Sequence, residues 1–438
     1  MKRFLFLLLL SLFFGEPCAQ DTLQLTLDEA KSIARSRNPG LLASREAIEQ
    51  ARAKLEKSRA AFFPQASFTA VYTRLGKVPK MKMDVGEMMG LPYSEIVEIE
   101  MGEQNNYNYS IAVNQPLFAG GNIINSYRLS RLNLQATKYE NKKAELELIL
   151  QVEETYYNLL WAYDMLKVTE DGYAQLLMHL EQAESLYAAG MLSHFDLLRA
   201  RVAKSNFQPN LIRARNGVRL AEDAMKLLLG LSLDTPIALT DSLSKPDFHI
   251  TLEEATDSAL SKRDELLSLE KRREMAHLGL VMSKRAFLPM LATQFSYTYQ
   301  KPYQQQSKWG EDWNISLILN FDIFNGLSRF ADVKNARSQL EQIDYAMEQA
   351  RQGIKLEVRQ AYLSFQEAQE LLKSQEANLS QAQEALQIAE EQYKNGFISQ
   401  TEYSDTQMAN NQAKTNYLQA LVQYNTAIAK LKRAMNEE

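Results

Sequence analysis

Polar and apolar residues follow two different periods in different parts of this 438-residue chain. Over 294–300 and again over 313–321 they alternate with a period of two, and the large apolar side chains of 313–321 fall on one face. Over 328–395 apolar residues recur every three or four positions, and no proline interrupts them. The first period predicts β-strands and the second an amphipathic helix. At 1.5 Å per residue, that helix is about 100 Å long.

The same series of segments occurs twice in the chain. The segment from Asn114 to Gly121 returns as Asn320 to Leu327, and the segment from Tyr187 to Ser193 returns as Tyr393 to Ser399. Both pairs are shifted by 206 residues (from 114 to 320 and from 187 to 393). A unit of about half the chain is therefore duplicated, and each copy should fold into the same elements.

Turn and breaker residues divide each copy into a helix, two strands and a long helical hairpin. The second copy has helices predicted over 252–286, 328–395 and 399–435 around its two strands. The first copy has helices predicted over 27–63, 122–189 and 193–229, and strands over 67–75 and 107–117. Domain boundaries follow from this division: a first repeat at 20–230, a linker at 231–250 and a second repeat at 251–438, with β-hairpins at about 66–117 and 291–321 and helical tips near 190 and 396.

The first strand pair has a longer connection than the second. The offset between the repeats is 225 before the strands (from 25 to 250) and 206 after them, so the first β-hairpin has 19 extra residues. They belong to a connection at 77–106 that is rich in Met and Glu. We expect a mobile surface loop here, with soft-metal capture by methionines as the alternative.

The N-terminus has the pattern of a secretory signal peptide at 1–19, with a charged start, an apolar run from Phe4 to Phe14 and a cut after Ala19. Cys18 is the one cysteine, and its lipidation is left open. No later segment has 18 consecutive apolar residues, which predicts no transmembrane helix. The exported chain is then either soluble or inserted in a membrane through its strands. The predicted strands are about 9 to 11 residues long, enough for a tilted strand to cross a bilayer, and aromatic residues cluster near their ends. A strand pair in a soluble β-sandwich is the alternative. The net charge of −5 argues against nucleic acid as a binding partner.

Four membrane strands per chain cannot close a barrel, and an open edge in lipid leaves backbone groups unpaired. Three chains supply about twelve strands, which is enough to enclose a wet pore. The predicted fold class is therefore mainly helical with membrane β-structure. It is a trimeric twelve-stranded barrel, four strands per chain, continuous with a long coiled-coil helical tunnel.

The duplicated order of strands and long hairpins, the segment from Asn114 to Phe118, and the two Tyr-x-x-Gly turns at 187–190 and 393–396 resemble the TolC family of outer membrane efflux proteins. The resemblance covers the whole mature chain. It implies a homotrimer in outer membrane lipid of a Gram-negative bacterium, with a periplasmic helical extension. It also implies the role of exit duct for efflux or type I secretion, with a periplasmic adaptor and an inner-membrane pump of RND, ABC or MFS type. No catalytic, cofactor or metal set is predicted; the alternative is a trimeric adhesive coiled coil without transport.

The two helical turns are the candidate docking tips, at Gly190, Met191, Leu192 and at Gly396, Phe397, Ile398. The resemblance implies that such tips form the tunnel entrance and meet the adaptor. Apolar side chains at an exposed tip favour a contact surface. A plain glycine helix stop is the alternative.

Five charged or aromatic residues near the tips are the candidate gate: Glu402, Asp405, Asp196, Arg199 and Tyr393. A three-residue spacing places each charged pair on one helical face, and three copies of Glu402 and Asp405 around an axis form stacked acidic rings that favour cations. The resemblance implies that these acids face the pore constriction, that Asp196 takes part in closing links, and that Tyr393 is a gate tyrosine. Solvated surface acids are the alternative.

Overall fold

The computed structural model describes residues 22–90, 92–94, 96–304 and 306–438. The predicted signal peptide at 1–19, with Cys18, lies outside the described residues. The helices of the described part are α1 (Leu27–Arg37), α2 (Pro39–Ala60), α3 (Val85–Met88), α4 (Asn122–Ala188), α5 (His194–Leu229), α6 (Leu252–Lys262), α7 (Asp264–Arg285), α8 (Ser328–Lys394) and α9 (Gln400–Ala434). Its strands are β1 (Leu23–Leu25), β2 (Gln65–Arg74), β3 (Lys80–Asp84), β4 (Ile96–Glu100), β5 (Asn105–Ala119), β6 (Ile237–Leu239), β7 (Met290–Lys301) and β8 (Gly310–Asn320).

The two repeats have matching elements, as the sequence offset predicts. The long helices α4 and α8 are each 67 residues long. Each is followed by a tight turn and a return helix, α5 of 36 residues and α9 of 35 residues. The ends of these four helices lie within one residue of their predicted positions.

The four long strands form one antiparallel sheet in the order β2-β5-β7-β8. The outermost strands, β2 and β8, each have one edge that no strand of the described residues pairs with. On β8 the side chains of Trp313, Ile315 and Leu317 are 64–68 % exposed, on the single apolar face that the alternation predicts. An apolar face of this size on a soluble protein would be covered.

Each helix predicted ahead of the strands is in fact two helices. The first breaks at Asn38, which has φ −61° and ψ 121° because the following Pro39 disfavours helical backbone in the residue before it. The second breaks at Arg263, which has nearly the same angles (φ −58°, ψ 121°) with no proline after it. The prediction of a continuous helix over 252–286 is therefore wrong. The side chain of Arg263 is buried at the break, and the sequence has no glycine or proline there to indicate that the helix ends.

The predicted linker at 231–250, which has no hydrophobic period, contains a short strand. β6 pairs in parallel with β1, near the start of the described chain. The hydroxyl of Tyr156 on α4 lies 3.0 Å from the carbonyl oxygen of Leu25 and 2.8 Å from Oδ2 of Asp241. The same Oδ2 accepts from the backbone N–H of Leu27 at 2.8 Å, so the linker and the N-terminal segment are both bonded to α4.

We expect Tyr156→Phe to lower the free energy of unfolding by about 1 kcal/mol, the usual net contribution of one buried hydrogen bond. The ring of Tyr156 is 1 % exposed and stays packed in this variant, so the change isolates the hydroxyl. Chemical unfolding followed by helical circular dichroism measures the difference. Tyr139→Phe, on the same helix, is the control, and an equal loss there would contradict the assignment.

The chain divides into two compact units. One comprises residues 22–47, 138–267 and 348–438, and it contains two hydrophobic cores. One core is built from α1, α2, α4, α5, β1 and β6, and the other from α6, α7, α8 and α9. The second unit comprises 48–137 and 268–347 and contains the four-stranded sheet.

The connection at 77–106 is not simply a mobile loop. β3 and β4 pair along their whole length, from Lys80↔Glu100 to Asp84↔Ile96. The sequence signal for this hairpin is weak, because each strand has only five residues.

Across the described ranges, the structure has no helix that combines the length and the apolar character needed to cross a membrane.

Candidate gate and docking site at the helical tips

The first tip is a glycine-terminated turn between α4 and α5. Gly190 has φ +74°, a left-handed conformation that side chains with a Cβ rarely adopt. Its N–H donates to the carbonyl of Tyr187 at 3.0 Å, and the N–H of Met191 donates to the carbonyl of Leu186 at 2.9 Å. This is the Schellman pattern that ends helices.

The second tip repeats this geometry between α8 and α9. Gly396 also has φ +74°, and its N–H donates to the carbonyl of Tyr393 at 3.0 Å. The N–H of Phe397 donates to the carbonyl of Gln392 at 2.9 Å. Both turns therefore fall at the predicted glycines, with matching bonds.

The apolar residues of the tips divide into exposed and half-buried ones. Met191 is 76 % exposed and Phe397 is 79 % exposed. Leu192 and Ile398, one residue further on, are half-buried. Phe195, which the sequence analysis does not single out, is 73 % exposed in the first turn of α5. Together the two tips offer an uncovered apolar surface of two aromatic rings and a thioether.

Glu402 is held at the start of α9 by a capping box. Its Oε2 accepts from the backbone N–H of Ser399 at 2.8 Å and from the Ser399 hydroxyl at 2.9 Å. In return its own N–H donates to Oγ of Ser399 at 3.2 Å. The backbone bond from Ser399, followed by the hydroxyl bond, lowers the pKa of the Glu402 carboxyl below its usual value of 4.5. Glu402 is therefore an ionised acid with a fixed position.

The other predicted charges differ in their bonding. Ser193 caps α5: its Oγ accepts from the backbone N–H of Asp196 at 3.1 Å, and its hydroxyl donates to Oδ2 of Asp196 at 2.5 Å. Arg199 is exposed, and no ion pair joins it to Asp196 among the described residues. Asp405, one turn beyond Glu402, is exposed on α9.

Tyr393 belongs to an aromatic cluster that sequence reasoning missed. Its ring stacks on the ring of Tyr403, with centroids 4.9 Å apart and planes at 6°. Tyr403 also meets the ring of His179 edge-on at 6.3 Å, and Nδ1 of His179 lies 2.9 Å from Nε2 of Gln400. Because His179 lies on α4 while the tyrosines flank the second turn, the cluster joins the two helical hairpins of one chain.

One signal in the sequence was available for this cluster. Tyr393 and Tyr403 lie three residues before and seven after Gly396, spacings that bring both to the same side of an α-hairpin. His179 carries no such signal, because its contact joins different repeats.

Over the described ranges, no group of three or more His, Cys, Asp or Glu side chains is arranged to hold a metal ion.

Residues 31–231 and 255–437 match the family model of the outer membrane efflux proteins. The two segments cover most of the chain, and the chain belongs to this family.

Individual relatives are distant. The chain is 23 % identical over 297 residues to the cation efflux system protein CusC of Escherichia coli K12, an alignment covering 66 % of this chain and 63 % of CusC. It is 21 % identical over 398 residues to the pyoverdine export outer membrane protein OpmQ of Pseudomonas putida, covering 89 % of this chain and 81 % of OpmQ. The chain thus spans less than two-thirds of the length of CusC. Among solved structures, the Campylobacter jejuni CmeC outer membrane channel matches with a TM-score of 0.77 at 18 % identity, covering 94 % of this chain and 85 % of CmeC.

These comparisons confirm the fold class predicted from the sequence, in which long helical hairpins are joined to one antiparallel β-sheet. They also confirm the predicted family resemblance and the outer membrane location. The family is one of efflux channels rather than enzymes. The predicted repeat boundaries and site residues remain predictions.

Proposed function

We propose that three copies of this chain form the outer membrane exit duct of a tripartite efflux or secretion system, a passive path from the periplasm to the outside. The observation that carries the proposal is the four-stranded sheet with an apolar face and two open edges, at β2 and β8. In lipid these edges need partner strands, and a neighbouring copy can supply them because β8 of one chain is free to pair with β2 of the next.

The helical hairpins supply the periplasmic part of the duct. Each chain contributes two hairpins, and six hairpins around a common axis make a tube wall without any other component. A duct of this kind needs no catalysis, and none of the roles proposed here requires a cofactor.

The exposed apolar tips are the docking surface for a periplasmic adaptor. Met191, Phe397 and Phe195 support this assignment because they place large apolar groups in water at the ends of both hairpins. Through the adaptor the duct serves an inner-membrane pump of RND, ABC or MFS type. CusC and OpmQ are named for a cation efflux system and for pyoverdine export, and we infer that this chain also exports a small solute.

Two experiments test the duct. Detergent-extracted protein should have the mass of three chains, by light scattering corrected for detergent. In planar bilayers the trimer should conduct ions. A trimer that never conducts would favour the adhesive coiled coil, whereas a stable monomer would contradict the shared sheet.

We assign the gate to the second tip, with Asp405 and Glu402 as stacked acidic rings and Tyr393 as the ring that stacks on Tyr403 across the turn. Asp196 and Arg199 belong to the first tip, where the Asp196 carboxylate accepts a hydrogen bond from the hydroxyl of the capping residue Ser193. The two hairpins therefore differ in the charge that they carry at corresponding positions.

We expect Asp405→Asn to reduce the preference of the channel for K⁺ over Cl⁻ by about threefold, because three uncompensated charges leave one ring. Glu402→Gln should reduce it less, because the carboxylate is already bonded to Ser399. Reversal potentials in a salt gradient measure both. Glu376→Gln, whose carboxylate pairs with Lys245, is the control. An unchanged K⁺/Cl⁻ selectivity in Asp405→Asn would contradict the assignment of Asp405 to the gate.

A further inference from the structure

The extra hairpin of the first repeat has two unlike faces. In the register of β3 and β4, Met81 lies opposite Ile99 and Met83 lies opposite Val97. Opposed residues in an antiparallel pair project to the same side, and residues two apart share that side. These four side chains therefore form one continuous apolar face.

The opposite face of the hairpin is charged and paired within itself. Nζ of Lys80 lies 3.6 Å from a carboxylate oxygen of Glu98 and 3.9 Å from one of Glu100. Nζ of Lys82 lies 3.5 Å from the other oxygen of Glu98. These charges neutralise one another across the strands, and one exposed apolar side chain, Ile96, lies opposite Asp84 at the end of this face.

The apolar face is only partly covered among the described residues, and Met83 is its one half-buried member. Met81 is 42 % exposed, Val97 40 % and Ile99 41 %. An isolated two-stranded hairpin is marginally stable in water, and packing of one face is what usually stabilises it. Because β3 and β4 nevertheless pair along their whole length, we expect another surface to pack against this apolar face in the assembled protein.

The position of the hairpin indicates what covers it. β3 follows directly from β2, the edge strand that the proposed trimer joins to β8 of a neighbouring copy. The second repeat has no equivalent hairpin, so the trimer has one per chain at the end of the sheet away from the helices. A lipid headgroup layer fits poorly, because the connection over 77–104 has six acidic residues against three lysines, a net charge of −3.

We propose that the apolar faces of the three β3–β4 hairpins pack against one another around the trimer axis and narrow the outer end of the duct. The inference rests on the proposed trimer. It goes beyond the proposed function in assigning a second constriction, built from apolar residues of the β3–β4 hairpins.

Cysteine cross-linking tests the packing, because the chain has one cysteine, Cys18, in the predicted signal peptide. Val97→Cys should form disulfide-linked dimers on mild oxidation, in at most about two-thirds of chains because one bond uses two of three thiols. Glu98→Cys, the next residue on the opposite face, should not. Ile99→Cys and Glu100→Cys form a second matched pair in case Val97→Cys does not assemble. The unchanged chain measures any background from Cys18.

The mass of each variant is measured before oxidation, so that a failed trimer is distinguished from a failed contact. A trimer in which Val97→Cys and Ile99→Cys stay unlinked would overturn the packing. Equal cross-linking from both faces would overturn it as well, because random collision would then explain the bonds. Linking confined to Val97→Cys and Ile99→Cys supports it.

Discussion

Glu265→Gln should destabilise the helical unit by about 3 kcal/mol, the lower end of the range for breaking a buried ion pair. Glu265 at the start of α7 lies between two buried arginines. Its Oε1 is 3.5 Å from Nη1 of Arg263 and 3.2 Å from Nη2 of Arg433. The side chain of Arg263 is fully buried and that of Arg433 is 8 % exposed. The glutamine removes the one charge that the two guanidinium groups share.

In this variant each of the two buried arginines keeps one ion-pair partner, and that partner is half-exposed. Arg263 still pairs with Glu357 and Arg433 with Glu147, and both of those carboxylates are half-exposed. Nε of each arginine has no hydrogen-bond partner among the described residues. Both groups therefore depend on nearby negative charge, and two close cations without it repel each other.

Acid should produce the same loss in the unchanged protein. Burial acts to raise the pKa of Glu265, but the charges of Arg263 and Arg433, with a backbone hydrogen bond and Lys143, lower it overall. A lowered pKa means that the stabilisation is present above the usual value of 4.5 and is lost as the pH falls below it. The stability of Glu265→Gln should therefore vary less with pH over this acid range.

Chemical unfolding followed by circular dichroism measures both effects. Glu154→Gln is the matched control, because Glu154 pairs with the half-exposed Lys430 at 3.1 Å. A surface pair of this kind contributes less than about 1 kcal/mol. If both variants lose the same stability, the buried cluster does not have the role assigned to it.

Replacing Met191 and Phe397 together by Asp should weaken adaptor binding by at least about a hundredfold. Burying one such side chain contributes about 1.5–3 kcal/mol, and about 2.7 kcal/mol corresponds to a hundredfold change in affinity. Both side chains are more than three-quarters exposed, so the free protein should fold and trimerise unchanged. The loss should then appear only in the complex.

Binding of the purified adaptor to immobilised trimer measures this effect, with channel conductance as a test of integrity. Asn395→Asp is the control, because it adds a charge at the second tip without removing an apolar group. An affinity that falls equally in the control would indicate a general charge effect. An unchanged affinity in the double variant would exclude the tips as the docking surface.

The elements with the strongest local signals were predictable. Gly190 and Gly396 mark the two helix ends to within a residue, because the left-handed turn requires glycine. The alternation around Trp313 and Ile315 identified a strand with one apolar face, because a period of two directs alternate side chains to the same face. The duplication then extended each prediction from one half of the chain to the other.

The missed features depend on contacts between distant residues. β1 and β6 are three residues each and are paired across more than 200 positions, which no local pattern reveals. The break at Arg263 depends on ion pairs with Glu357 and Glu265. At the candidate site, the stacking of Tyr393 on Tyr403 follows from the turn, whereas the contact with His179 depends on how the repeats pack.

The open edges of β2 and β8 also affect how the protein reaches its membrane. A single chain cannot enter lipid with those backbone groups unpaired, so the three chains of the proposed trimer should meet before or during insertion. Assembly should then depend steeply on the local concentration of newly exported chains. A variant with a blocked β8 edge should be dominant over the normal gene, because at equal expression only about one trimer in eight contains three normal copies.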